Sequence, residues 1–201
     1  MDAWLQLRSA TRSAHEAMER LPRLARLFAD DYRRDELAAL FRSLLAVHEP
    51  LEAALAGTPE AVAIGYCPRS PLLVSGLVRL SGGAGIFPPS VPIPAYPSSA
   101  SRIGAFYVIE GSILGGQVIR RRLVEHFGED IAEALAFYSP YGDDVGGQWI
   151  RFRTVLARIV DDNVAIREAE SAAIATFSAI GAQLAGLEAV DKPHCIHRGS
   201  R

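Results

Sequence analysis

Lysine is almost missing from this chain. Of its 21 basic residues only Lys192 is a lysine; the rest are arginines. With a net charge of -2 there is no basic excess to draw the protein to nucleic acid or to an anionic membrane. Cysteine is nearly as scarce. Cys67 and Cys195 are too few for a disulfide framework, and the N-terminal residues carry no secretory pattern, so the expected compartment is a reducing cytoplasm. Long apolar runs are lacking too. The most apolar stretch, Ala172 to Leu187, contains Ser178 and Gln183 and is too short and mixed for a membrane span; it reads as a buried helix. Strand-like alternation and internal repeats are absent. What remains is an all-α chain of 201 residues, long enough for one domain with a sizeable core.

The helical pattern is read from apolar periodicity. Asp2 can cap a first helix running to about Arg20, where Leu21-Pro22 ends it. A second helix is expected from about Asp35 to Ala56, with His48 as a structural residue, and Gly57-Thr58-Pro59 as a turn. Ser70 is expected to cap a third helix with Pro71 in its first turn, ending by Gly82-Gly83. Residues 87–97 hold five prolines and read as a loop inside one domain. Ser98 or Ser99 then caps a helix to Phe127 that Gly128 stops. Further helices are expected over about Asp130–Tyr138, around Trp149 to Ile159, and over about Ala165–Leu187. The domain is placed at 1–190. Residues 191–201 read as a disordered tail in which His194, Cys195 and His197 are metal-capable by chance.

Two stretches carry chemistry. In the first helix, His15 is followed one turn later by Glu19, whose carboxylate can accept the second ring N–H and hold the imidazole as a ligand. Arg8 and Arg12 place cations one and two turns before it. The second stretch is Gly104 to Gly116. Its Gly111, Gly115 and Gly116 cost a helix roughly 3 kcal/mol relative to alanine, so position must dictate them. Either another helix packs closely there, or a flat ligand lies on the bare backbone. An all-helical protein with a carboxylate-backed histidine, adjacent arginines and one helix stripped of side chains suits a heme between two helices, with arginines pairing to its propionates.

On these motifs the sequence resembles a known family. Leu7 to Glu16 (Leu-Arg-Ser-Ala-Thr-Arg-Ser-Ala-His-Glu) is similar to the proximal-helix motif of heme oxygenases. Phe106 to Val118 (Phe-Tyr-Val-Ile-Glu-Gly-Ser-Ile-Leu-Gly-Gly-Gln-Val) is similar to their distal-helix motif. The segment from Tyr141-Gly142 to Trp149 and Phe152 is similar to the bacterial branch associated with bacteriophytochromes. The resemblance implies a single-domain helical bundle with heme between a proximal helix and a glycine-kinked distal helix. It implies cleavage of heme, at once substrate and cofactor, to biliverdin, carbon monoxide and ferrous iron. That reaction uses O2 and an external reductant such as a ferredoxin or flavodoxin system. Biliverdin would pass to a bacteriophytochrome or the iron would serve acquisition.

By resemblance His15 is the axial iron ligand and Glu19 its hydrogen-bond acceptor. Arg8 and Arg12 lie near the propionates. Gly111, Ser112, Gly115 and Gly116 line the heme face, with Gly111 and Ser112 as the catalytic positions. One departure stands out. Many heme oxygenases have an aspartate directly after the glycine matching Gly111; this chain has Ser112, which can hydrogen-bond water but cannot be an anionic anchor. A non-catalytic heme carrier or sensor with the same fold is the alternative that this substitution motivates.

Overall fold

The computed structural model describes residues 2–82, 89 and 91–186. Gly83, part of the proline-rich loop, and the C-terminal tail with Cys195 lie outside the described residues. Among those described, every regular element is helical: α1 Ala3–Ala10, α2 Arg12–Glu19, α3 Pro22–Ala25, α4 Arg34–Leu55, α5 Pro59–Ile64, α6 Ser70–Ser81, α7 Ser99–Phe127, α8 Val145–Ile159 and α9 Asn163–Gly186. The all-α expectation holds. No described helix is long and apolar enough to cross a membrane.

The core sits between α4, α7 and α9. Leu37, Leu40, Phe41, Leu45 and Leu51 of α4 meet Ile103, Phe106 and Ile109 of α7 and Ala169 and Ala173 of α9 within one apolar cluster. Each Leu, Ile or Phe side chain fully buried there contributes about 1.5–3 kcal/mol. The tightest crossing is α7 against α9. A methyl group at Gly104 would overlap the Ala169 backbone, so no side chain can stand there.

Several local expectations needed correction. The first helix is not continuous. It breaks at Thr11, whose hydroxyl donates to Leu7 O at 2.7 Å and whose ψ of 0° is displaced from the ordinary helical value. A helix over Asp130–Tyr138 does not form. Two 3-10 turns, Glu129–Ile131 and Ala136–Tyr138, replace it, because the chain must bend to bury Ile131, Leu135 and Tyr138. The turn at Gly57-Thr58-Pro59 opens a short helix, α5, with Thr58 as its cap. Ser70 does not cap α6 but is its first residue. The capping acceptor comes from α4 instead. The Glu52 carboxylate accepts from the backbone N–H groups of Arg69 and Ser70 and from the Tyr66 hydroxyl.

Next to this cap lies a buried ion pair. Arg69, 1% exposed, donates to Glu110 Oε1 on α7 at 2.8 Å. Tyr141 OH donates to the same carboxylate at 3.1 Å and Gln148 Nε2 at 3.0 Å. Burial raises the Glu110 carboxyl above its ordinary range, while Arg69, Gln148 and Tyr141 pull it back. Arg69→Ala strands this carboxylate without its cation. The expected loss is about 3–5 kcal/mol of stability, read by urea unfolding.

His48 is buried as expected of a structural residue, edge-on to Phe137 at 5.4 Å. Burial pulls its imidazole from 6.5 down to about 4, against the pull of Glu52 in the other direction. The folded state therefore stays neutral there while the unfolded chain takes up a proton below its ordinary value. Stability falls as pH drops from about 6.5 toward 4. His48→Gln is expected to flatten that part of the stability–pH curve in thermal unfolding; an unchanged slope would remove His48 as its source.

Candidate functional site

α2 carries the histidine. His15 Nδ1 and Glu19 Oε1 stand 3.5 Å apart one turn along the helix, and both side chains are more than half exposed. The His15 ring meets Phe177 of α9 edge-on at 6.0 Å. No residue of α2 is buried. That is unusual for a helix in the body of a domain, since a helix ordinarily buries one stripe. Arg12 is exposed, and Arg8 lies over the Trp4 ring at 5.6 Å. Arg153 shares Trp4: its guanidinium is 4.6 Å from the same ring and donates to Asp2 at 2.7 Å. Arg8 is thus tied to the end of α1.

The glycines of α7 fall into two kinds. Gly104 and Gly116 serve packing: a Cβ at Gly116 would meet the Tyr138 carbonyl at 3.3 Å. Gly111 and Gly115 face open space, with nothing within 4 Å of a Cβ added at either. Spacings of three and four put Gly111, Leu114, Gly115 and Val118 on one stripe. Leu114 and Val118 are 48% and 59% exposed, so this stripe is apolar and uncovered. The helix stays unbroken through it. Ser112 is exposed and its hydroxyl donates to Ile109 O at 2.7 Å, a bond to its own helix that leaves oxygen lone pairs but no free proton.

Two pins bring the histidine segment to this stripe. Thr11 Oγ1 lies 3.4 Å from the Tyr107 hydroxyl, one turn before His15 on one chain segment and one turn before Gly111 on the other. Farther on, Arg122 of α7 donates to Phe28 O at 3.4 Å and to Asp30 at 2.7 Å. Tyr107 and Arg122 are about 22 Å apart along a helix axis, and Gly111 to Val118 lie between them. Yet α2 packs mainly on α1, α3 and α9, with α7 not among its principal neighbours. A segment fastened at both ends of the stripe, with an unburied helix in its middle, leaves room for a flat ligand over Gly111 and Gly115.

The residues fit a heme in that room. An imidazole with a carboxylate behind it suits an iron ligand, and the bare stripe admits a planar apolar body. The structure unites His15 with Glu19, and Gly111 with Gly115. It gives Gly116 to Tyr138 and Arg8 to Trp4. Phe177, the Thr11–Tyr107 contact and the Arg69–Glu110 pair went unread in the sequence. Phe177 carried a faint signal as a lone aromatic on an alanine-rich helix; the others acquire meaning only from contacts across the fold.

A comparison with models of known protein families finds no match. Over 89 residues, 44% of this chain, the sequence is 40% identical to a heme oxygenase of Xanthomonas campestris pv. campestris (strain 8004). The match spans about half the length, 52%, of that relative. Among solved structures, heme oxygenase from Leptospira interrogans superposes with a TM-score of 0.70 at 18% identity, covering 92% of this chain and 100% of that one. Heme oxygenase-1 of Synechocystis sp. PCC 6803, in complex with heme, gives 0.73 at 16% identity, covering 94% of each chain. Heme oxygenase-2 of the same cyanobacterium, with heme and NO, gives 0.74 at 19% identity, covering 94% of this chain and 86% of that one. The chain therefore has the heme oxygenase fold and, over the matched 89 residues, is similar in sequence to a heme oxygenase.

Proposed function

We propose that this chain is a heme oxygenase. It binds heme between α2 and the open stripe of α7 and cleaves it to biliverdin, carbon monoxide and ferrous iron. O2 and electrons from an external donor of the ferredoxin or flavodoxin kind are consumed. The observation that carries this reading is the pairing of an unburied, histidine-bearing helix with empty space over Gly111 and Gly115. His15 would hold the iron through a ring nitrogen, with Glu19 orienting the imidazole. Bound heme supplies the redox chemistry; the protein positions it, excludes bulk from one face and manages protons. Arg12 is the exposed cation best left free for a propionate, since Arg8 stacks on Trp4.

A titration with hemin, followed by aerobic ascorbate or a reduced ferredoxin, tests this. The Soret band should form, then decay into a biliverdin spectrum. The second reading, a heme carrier or sensor, is favoured by Ser112, whose hydroxyl proton is spent on Ile109 O. A Soret band that persists as a stable ferrous or oxy complex under reductant would establish it in place of turnover.

A further inference from the structure

Three buried polar atoms around one cluster have no protein hydrogen-bond partner: His48 Nδ1, Arg69 Nη1 and Ser70 Oγ. All adjoin Glu52 or Glu110. His48 Nδ1 is 4.0 Å from Glu52 Oε1, and the Glu52 carboxylate holds the backbone N–H groups of Arg69 and Ser70. Arg69 spans from there to Glu110, its guanidinium lying 5.4 Å from the Tyr66 ring centre and 5.0 Å from that of Tyr141. Buried donors left without protein partners are ordinarily met by ordered water. The cluster also reaches the surface. Glu52, Tyr66 and Ser70 line a concavity of about 540 Å³ between α4, α5 and α6. Glu110 immediately precedes Gly111 on α7; Leu114, one edge of the open stripe, stands about 40° around the helix from it, while Gly111 and Gly115 stand about 100° and 140° away.

We propose that Glu52, Arg69 and Glu110, with the water their unpaired neighbours hold, form a hydrated connection from the α4–α5–α6 concavity to the edge of the open face of α7, and that Glu110 is the positioning carboxylate for protons that an aspartate at position 112 would otherwise organise. The proposal rests on the heme-binding reading above. A proton entering from the concavity is exchanged at Glu52 Oε or Tyr66 OH. Water on Ser70 Oγ and Arg69 Nη1 carries it on, and Glu110 Oε1 or Tyr141 OH presents it at the Leu114 edge of the stripe. The chain returns to its starting state when the next proton enters. The charged and titratable groups facing Glu110 are Arg69, Tyr141, Tyr66, Cys67 and Glu52, so any effect of pH on it is shared with them.

The test has one arm without heme and one with it. A high-resolution crystal structure should show water bonded to Arg69 Nη1 and Ser70 Oγ; dry, protein-satisfied atoms there would overturn the connection. In the hemin complex, the pH at which the ferric spectrum converts from its water-bound to its hydroxide-bound form is measured for wild type, Glu110→Gln and Tyr141→Phe. Removing the Glu110 charge should move that midpoint down by about one pH unit, since a nearby anion disfavours hydroxide. Tyr141→Phe keeps the ion pair and should shift it less, while raising the solvent isotope effect on turnover; it also keeps the test open if Glu110→Gln does not fold. Midpoints and isotope effects unchanged in a folded variant would overturn the proposal and leave the heme reading standing. Failure of the wild type to form a Soret band would instead sink the heme reading itself.

Discussion

His15→Ala is expected to abolish heme turnover while leaving the protein folded. Both halves of that expectation come from the same geometry. The His15 and Glu19 side chains are more than half exposed, and no residue of α2 is buried. Truncating such a side chain costs at most about 0.5 kcal/mol of stability. As the proposed iron ligand, His15 has no second imidazole beside it: the side chains next to it are Glu19, a carboxylate, and Phe177, which is apolar. Glu19→Gln should do less, because it retains a hydrogen-bond acceptor. Loss of an outer partner ordinarily costs a metal site roughly 10–100-fold in affinity or activity. The alanine variant at position 15 should exceed that range and shift the heme spectrum. The measurement is hemin titration with turnover under ascorbate, beside a thermal melt. Wild-type turnover by His15→Ala would remove the residue from the ligand role.

That prediction was legible in the sequence because the His15–Glu19 pair is local. An i, i+4 spacing on a helix needs no tertiary knowledge. The long helices were legible for the same reason: the apolar period of α4 and the Ser98 and Gly128 boundaries of α7 are set by neighbours in the chain. What failed to show were features fixed by distant partners. Ser70 looks like a cap, but Glu52, 18 residues earlier, takes the N–H groups. The stretch after Gly128 has helical composition, yet burying Ile131, Leu135 and Tyr138 along a bending path costs it regular hydrogen bonding. The Arg69–Glu110 pair joins residues 41 apart, and nothing in either local sequence announces it. The break at Thr11 was likewise hidden, since its hydroxyl bond to Leu7 O is common in unbroken helices.

The glycines of α7 give the second large effect, and they turn an ambiguity of the sequence into a contrast. By composition alone Gly104, Gly111, Gly115 and Gly116 are interchangeable; close helix packing and ligand clearance explain any of them equally well. The structure separates them by what a side chain would meet. At Gly104 it meets the Ala169 backbone, which cannot step aside. Gly104→Ala is expected to destabilise the fold by at least about 1–3 kcal/mol, the usual range for overpacking, with heme affinity falling only as the fold does. At Gly111 and Gly115 it meets nothing. Alanine at either position gains helix propensity and should stabilise the protein by up to about 1 kcal/mol. Gly115→Leu should likewise fold, because the space is open in the absence of ligand. It would then project into the volume that the proposed heme occupies, and hemin affinity should fall by at least tenfold, equivalent to about 1.4 kcal/mol. Urea unfolding and hemin titration on these four variants separate the roles. A Gly115→Leu protein that melts like wild type, binds hemin as tightly and turns it over as fast would mean that the bare stripe of α7 is not a wall of the heme site, whatever else keeps its glycines there.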